Sequence, residues 1–158
     1  MQKVRIYIEI DTQAVRKQNR VWGYLIECTQ KSGKCGKRAD WSIANVTRNQ
    51  AMLIAINEAL KRFHKPCSIT VYMDNKYISE PIKQRKIEEW QKNGWKTIRN
   101  EDIANVEEWR ELAKLISGHE LTFALPKPYE DQKELLQKMK QMKLQRDDWQ
   151  QQRLDGGY

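Results

Sequence analysis

The change of hydrophobic period at Thr47 constrains this chain more than any other feature. Before it, Val4, Ile6, Ile8 and Ile10 occupy every second position of residues 3–10, the repeat of a half-buried strand. Residues 20–28 (RVWGYLIEC) and 37–46 (KRADWSIANV) read as two further strands, and the glycines of KSGKCG between them predict an antiparallel hairpin. From Thr47 the spacing turns helical. Met52, Ala55, Ile56, Ala59, Leu60 and Phe63 recur at helical intervals, with Thr47 the predicted N-cap. Pro66 disfavours helix at the residue before it, so that helix is expected to end at His64-Lys65. Residues 68–73 read as a fourth strand, 75–116 as helical segments broken around Asn93-Gly94, and 119–125 (HELTFAL) as a fifth strand. The order β-β-β-α-β-α-α-β predicts an α/β fold with a mixed five-stranded sheet flanked by helices.

A chain of 158 residues with 39% apolar and 32% charged side chains fits one globular domain. No apolar run approaches the roughly 20 residues of a membrane helix. MQKVRIYIEI begins in strand-like sequence, so neither a signal nor a transit peptide is read there, and a cytoplasmic location is the expectation. The net charge is +8, from 29 basic and 21 acidic residues. Residues 129–158 hold six of each sign, so the whole surplus lies in 1–128. Such an excess attracts phosphate backbones, although it is also compatible with a merely solvated basic surface. Cys28, Cys35 and Cys67 are an odd set and read as free thiols. With His64 they have irregular spacing and lie on different elements, so no zinc site is expected.

VTRNQAMLIAINEAL (46–60) followed by ITVYMDNKYI (69–78) resembles two motifs of the ribonuclease H family. The first is T-N-N-x-x-E-L at a helix start, matched by Thr47, Asn49 and Leu53. The second is a strand ending in D-S-x-Y, matched at Asp74, Tyr77 and Ile78. Trp90, Trp95, the G-W-K-T element and NVEEWRELAKLI (105–116) resemble the helical middle of the cellular, type 1 members. The resemblance covers about residues 3–125 and implies the ribonuclease H-like fold. It also implies a two-metal phosphodiester displacement, in which carboxylates hold a pair of Mg²⁺ or Mn²⁺ ions.

The implied catalytic set is incomplete. Met52 stands where the family places its second carboxylate, and a thioether is no ligand for a hard cation. Glu58, six positions on, points about 240° away around the helix and cannot replace it. The first carboxylate falls on Glu9, or on Asp11 after a two-residue slip; both lie on one face of the strand and either could serve. The glycine-rich turn usual after this acid is replaced by TQAVRKQN. Asp74 matches the third acid, with a solvated helix cap as its plain alternative. The family's W-V-x-G-H segment is missing, and His119 precedes the last strand instead of following it. Asp131, with Glu130 and Glu134 as weaker choices, is the positional candidate for the fourth acid. Glu9 and Asp74 are therefore the candidate metal ligands, for a weakly bound Mg²⁺ or Mn²⁺.

The implied binding apparatus is better kept. Thr47, Arg48 and Asn49 sit where the family contacts the substrate backbone. Lys83, Arg85, Lys86, Lys92 and Lys96 surround Trp90 and Trp95, a mixture suited to phosphate contact and stacking; interhelix packing is the alternative for the tryptophans. After Pro126 and Pro128 the chain turns Gln- and Lys-rich. Leu135, Met139, Met142 and Trp149, with Leu136 and Leu144 beside them, predict one helix within 129–153 that packs on the core or meets a partner. The terminal DGGY reads as disordered.

The sequence thus divides into a ribonuclease H-like domain, 1–128, and a C-terminal helical extension, 129–158. The expected function is binding of an RNA/DNA hybrid or duplex RNA with nuclease activity lost or strongly reduced. The alternatives are a divergent metal-dependent ribonuclease H that cleaves the RNA strand of hybrids, and a protein-interaction or self-association module working through the tail.

Overall fold

The computed structural model describes residues 1–29, 31–33 and 35–155. The expected turn at KSGKCG includes one residue, and the terminal DGGY three, outside that set. The strands are β1 (Gln2–Ile10), β2 (Gln18–Thr29), β3 (Cys35–Val46), β4 (Cys67–Tyr72) and β5 (Glu120–Ala124). They form one mixed sheet of order β3-β2-β1-β4-β5. β1, β2 and β3 pair antiparallel, with Ile6 opposite Ile26 and Trp22 opposite Ser42. β4 runs parallel to β1, and β5 parallel to β4.

Helix α1 (Arg48–Leu60) begins at Thr47, whose Oγ1 accepts from Gln50 N–H at 3.2 Å. It stops at Leu60, short of the expected His64-Lys65. One face of the sheet receives α1 through Ala51, Leu53, Ala55, Ile56, Ala59 and Leu60, all buried. On that side the alternation of β1 delivers Val4, Ile6, Ile8 and Ile10 to the core. The segment 75–116 holds three helices: α2 (Lys76–Lys83), α3 (Lys86–Lys92) and α4 (Val106–Leu115). The extra break lies at Arg85, which takes a left-handed φ of 56°. The expected break after Lys92 becomes a non-helical stretch that reaches α4. Trp109 and Leu112 of α4 are fully buried, and Trp90 meets Trp109 edge-on at 5.1 Å.

The opposite face carries α5 (Gln132–Asp155), laid over β2 and β3. Leu135 and Met139 pack there with Tyr7, Val21 and Leu25. Covering both faces of β2 explains its burial from Arg20 to Glu27 and its nearly unbroken apolar run. Gly23 is needed for this approach, because a Cβ there would lie 2.9 Å from Met139 Sδ and 3.2 Å from Leu135 Cδ1. Leu136, Leu144 and Trp149 remain exposed. Among the described residues no helix is long and apolar enough to cross a membrane.

Candidate functional site

The parallel strands β1 and β4 end side by side, the usual place for a site in sheets of this kind. Glu9 is on β1 and Asp74 follows β4. Because side chains alternate along β1, Glu9 emerges beside Tyr7 on the α5 face. Its Oε1 accepts from the Tyr129 hydroxyl at 2.8 Å and from Gln132 Nε2 at 3.1 Å. Burial, then the neighbouring carboxylate, pushes the Tyr129 pKa far up, so its phenol stays a donor. No described residue donates to Glu9 Oε2. Asp11 is exposed, and its N–H donates to Val21 O at 3.0 Å, extending the ladder beyond Glu9.

Met52 lies at the start of α1, 7% exposed, within the core. Asn75, the N-cap of α2, donates through Nδ2 to Met52 Sδ at 3.1 Å and to Asn49 Oδ1 at 3.0 Å. Its own Oδ1 accepts from Tyr77 N–H at 3.0 Å. An amide therefore ties the end of β4 to the head of α1. Asp74, next in the chain, is exposed and makes no ion pair with any described residue.

Asp131 does not join these acids. It pairs with Lys37 of β3 at 2.9 Å, as does Glu130 at 2.9 Å, and the two raise the lysine's pKa. The helix start delivers Gln132 to Glu9, while Asp131 is engaged by the β3 lysine. Among the described residues no three His, Cys, Asp or Glu side chains converge as a metal site. A neutral thioether and an acid paired to lysine do not suit a pair of hard dications, which leaves Glu9 through Oε2 and the exposed Asp74 as the open oxygen ligands. Two such acids are fewer than a pair of dications needs, so the residues present fit at most one weakly held ion.

Arg20 of β2 anchors the chain between β1 and β2. It is 0% exposed, and its guanidinium donates to the carbonyls of Thr12, Ala14, Arg16 and Val46. Burial lowers its pKa. This cation shapes residues 12–16 and sets them beside Arg48, whose Nη1 donates to Gln13 O at 3.4 Å.

The basic middle divides into packing and free charge. Trp95 is half-buried against Trp90, ring centroids 6.4 Å apart, with the Arg110 guanidinium 5.9 Å from its ring. These contacts make Trp95 a packing residue of the basic middle. Lys96 is held by Asp102, whose pKa it lowers. Lys92 is exposed and has no ion pair with a described residue. His119 Nδ1 accepts from Cys67 N–H at 3.0 Å, so it caps the start of β4 well away from Glu9.

Asn75, Tyr129 and Gln132 were not singled out from the sequence. Asn75 had a readable signal, an Asx residue following a strand at a helix start. Tyr129 and Gln132 had none, since they reach Glu9 across sequence separations of 120 and 123. The segment that carries them, Pro126-Lys127-Pro128-Tyr129, crosses the ends of β4 and β1. Tyr129 stacks on Tyr7 at 4.1 Å and Tyr7 on Tyr72 at 4.7 Å, while Lys127 Nζ lies 4.9 Å from the Tyr72 ring centre.

Comparison with known proteins agrees with this architecture. The ribonuclease H of Caldicellulosiruptor saccharolyticus is 43% identical over 79 residues, 50% of this chain and 54% of that protein. The match therefore spans about half the length of that relative. The ribonuclease H of Clostridium botulinum is 31% identical over 131 residues, 83% of this chain and 87% of that one. Among solved structures, LC9-RNase H1, described as a type 1 enzyme with the type 2 active-site motif, superposes with a TM-score of 0.66 at 19% identity, covering 88% and 70% of the two chains. A foamy viral protease-reverse transcriptase in complex with dsDNA gives 0.59 at 11% identity, covering 87% and 90%. The RNase H family model matches residues 3–127, and with this sheet order the chain belongs to the ribonuclease H family.

Proposed function

We propose that this chain is a nucleic-acid-binding member of the family that holds an RNA/DNA hybrid or duplex RNA and has lost most or all of the hydrolysis. The observation that carries this reading is the occupancy of the centre by protein donors. Asn75 reaches Met52 and Asn49, and Tyr129 with Gln132 reaches Glu9. Each of these groups does with hydrogen bonds what metal coordination would do, so Mg²⁺ or Mn²⁺ would bind weakly. Thr47, Arg48, Asn49 and Lys92 are the proposed backbone contacts, with Lys96 and Trp95 shaping the surface around them. Residues 1–128 are the proposed family domain. Residues 129–158 are the proposed extension, whose helix closes the outer face of β2 and β3.

A divergent nuclease is the rival, and the exposure of Asp74 beside Glu9 is the feature that favours it. The exposed Leu136 and Leu144 on α5 are what would serve a protein partner. Fluorescence anisotropy with labelled hybrid, titrated across ionic strength, tests the binding. Affinity should fall steeply and linearly on a log–log salt plot. Salt-insensitive binding, or none at low ionic strength, would remove the proposal.

A further inference from the structure

The segment Pro126–Tyr129 roofs an open pocket of about 210 Å³ whose wall is the aromatic row Tyr129, Tyr7, Tyr72 and whose polar edge is Glu9 with Gln132. That volume is below the roughly 300–1,000 Å³ of sites for drug-sized ligands and suits a single heterocycle. None of Thr47, Arg48, Asn49, Lys92, Trp95 and Lys96 lines it.

We propose that this pocket holds one unpaired nucleobase, guanine in preference to the others, from a strand end or a bulge of the bound nucleic acid. This rests on the nucleic-acid-binding reading above. The chemistry is specific. Tyr72 is half-buried; its ring stacks on Tyr7 and is also approached by the Lys127 ammonium at 4.9 Å, a cover that can move aside. A base needs only a π-face to stack on, and the tyrosine row supplies it. Glu9 Oε1 is saturated by Tyr129 and Gln132, but Oε2 receives no hydrogen bond from a described residue. A carboxylate acceptor favours a base edge that presents adjacent N–H donors. Guanine offers its ring N–H and amino group together, so either donor can meet the open Oε2 with no acceptor between them, and charge-assisted bonds of this kind are among the stronger ones. Adenine and cytosine offer an amino group beside an acceptor that the carboxylate would repel. The displaced Lys127 is then placed for the nucleotide's phosphate.

The test uses the full chain and four nucleoside monophosphates, followed by isothermal titration, together with hybrids that are blunt or carry one unpaired 3′ dG. GMP should bind saturably and about tenfold or more tighter than AMP, CMP or UMP. The overhang should tighten hybrid binding by a similar factor. Glu9→Gln should abolish the preference for GMP while leaving weak stacking. Lys127→Ala, on an exposed residue, should weaken all four about equally. Tyr72→Leu, melted alongside wild type to verify folding, should remove binding of all four. Equal binding of the four monophosphates, or a GMP preference untouched by Glu9→Gln, would overturn the pocket. Tight binding of blunt hybrid with no GMP binding refutes the pocket alone. GMP binding without hybrid binding refutes the wider function alone.

Discussion

Met52→Glu puts a carboxylate where the proposed reading has one lost, and its consequences can be worked from the surroundings. Met52 is 7% exposed, and its sulfur faces the Asn75 amide at 3.1 Å. A glutamate there loses the buried thioether and must desolvate a charge. The Asn75 amide can still donate to it, which offsets part of the penalty, leaving a net cost of about 2–4 kcal/mol at neutral pH. For a chain of this size that is a fall in Tm of about 5–15 °C. The folded pKa of the new group is raised, so the deficit is present above that pKa and shrinks as pH falls through it. Met52→Gln, which carries no charge, should cost less. A dication that binds the new carboxylate only in the folded state returns about 2.7 kcal/mol at a hundredfold excess over Kd. Melting of wild type and both mutants, with and without Mn²⁺, measures each part. A glutamate mutant as stable as wild type and indifferent to Mn²⁺ would refute both the burial of position 52 and its proposed place in a metal site.

Other outcomes follow from the same contacts. Lys92→Ala should weaken hybrid binding about equally across sequences and reduce the salt slope by about 1, whereas Lys96→Ala should act less because Asp102 already holds that lysine; equal effects of the two would contradict the division of the basic surface. Leu135→Ala and Met139→Ala, at 2% and 1% exposure, should each cost about 2–4 kcal/mol in urea unfolding, against about 0.5 kcal/mol or less for the exposed Leu144→Ala; similar values at all three would show that α5 does not pack on the sheet. Tyr129 and Tyr7 have raised pKa values when folded, so their protonated forms stabilise the fold below about pH 10 and that contribution is lost as pH rises above it. Tyr129→Phe should flatten this alkaline limb by up to about 1.4 kcal/mol per pH unit, read by urea titrations between pH 9 and 11.

What the sequence made legible was local. The alternation of β1, the hairpin and the change of period at Thr47 are short-range patterns, and each element appears within a few residues of its expected bounds. The α2–α3 break escaped because it depends on the left-handed backbone at Arg85, which a non-glycine residue does not advertise. Position 52 stood out because the chemistry of a thioether is legible without a structure. Its partner Asn75 is not, since only the packing of β4 against α1 brings them together. Asp131 was placed by chain position, and the helix phase sends Gln132 to Glu9 while Lys37 takes the acid. Arg20 carries no local signal for its role, because the carbonyls around it are gathered only by the folded loop.

Cleavage of an RNA/DNA hybrid in Mg²⁺ and in Mn²⁺, measured at protein concentrations where anisotropy shows the hybrid bound, tests the central claim most directly. An intact family member serves as the reference. Saturated binding with no product, or product far below the reference, is the predicted result, and Met52→Glu should improve dication binding without restoring full activity. Robust cleavage by wild type that Asp74→Asn abolishes would contradict the account and establish the divergent nuclease.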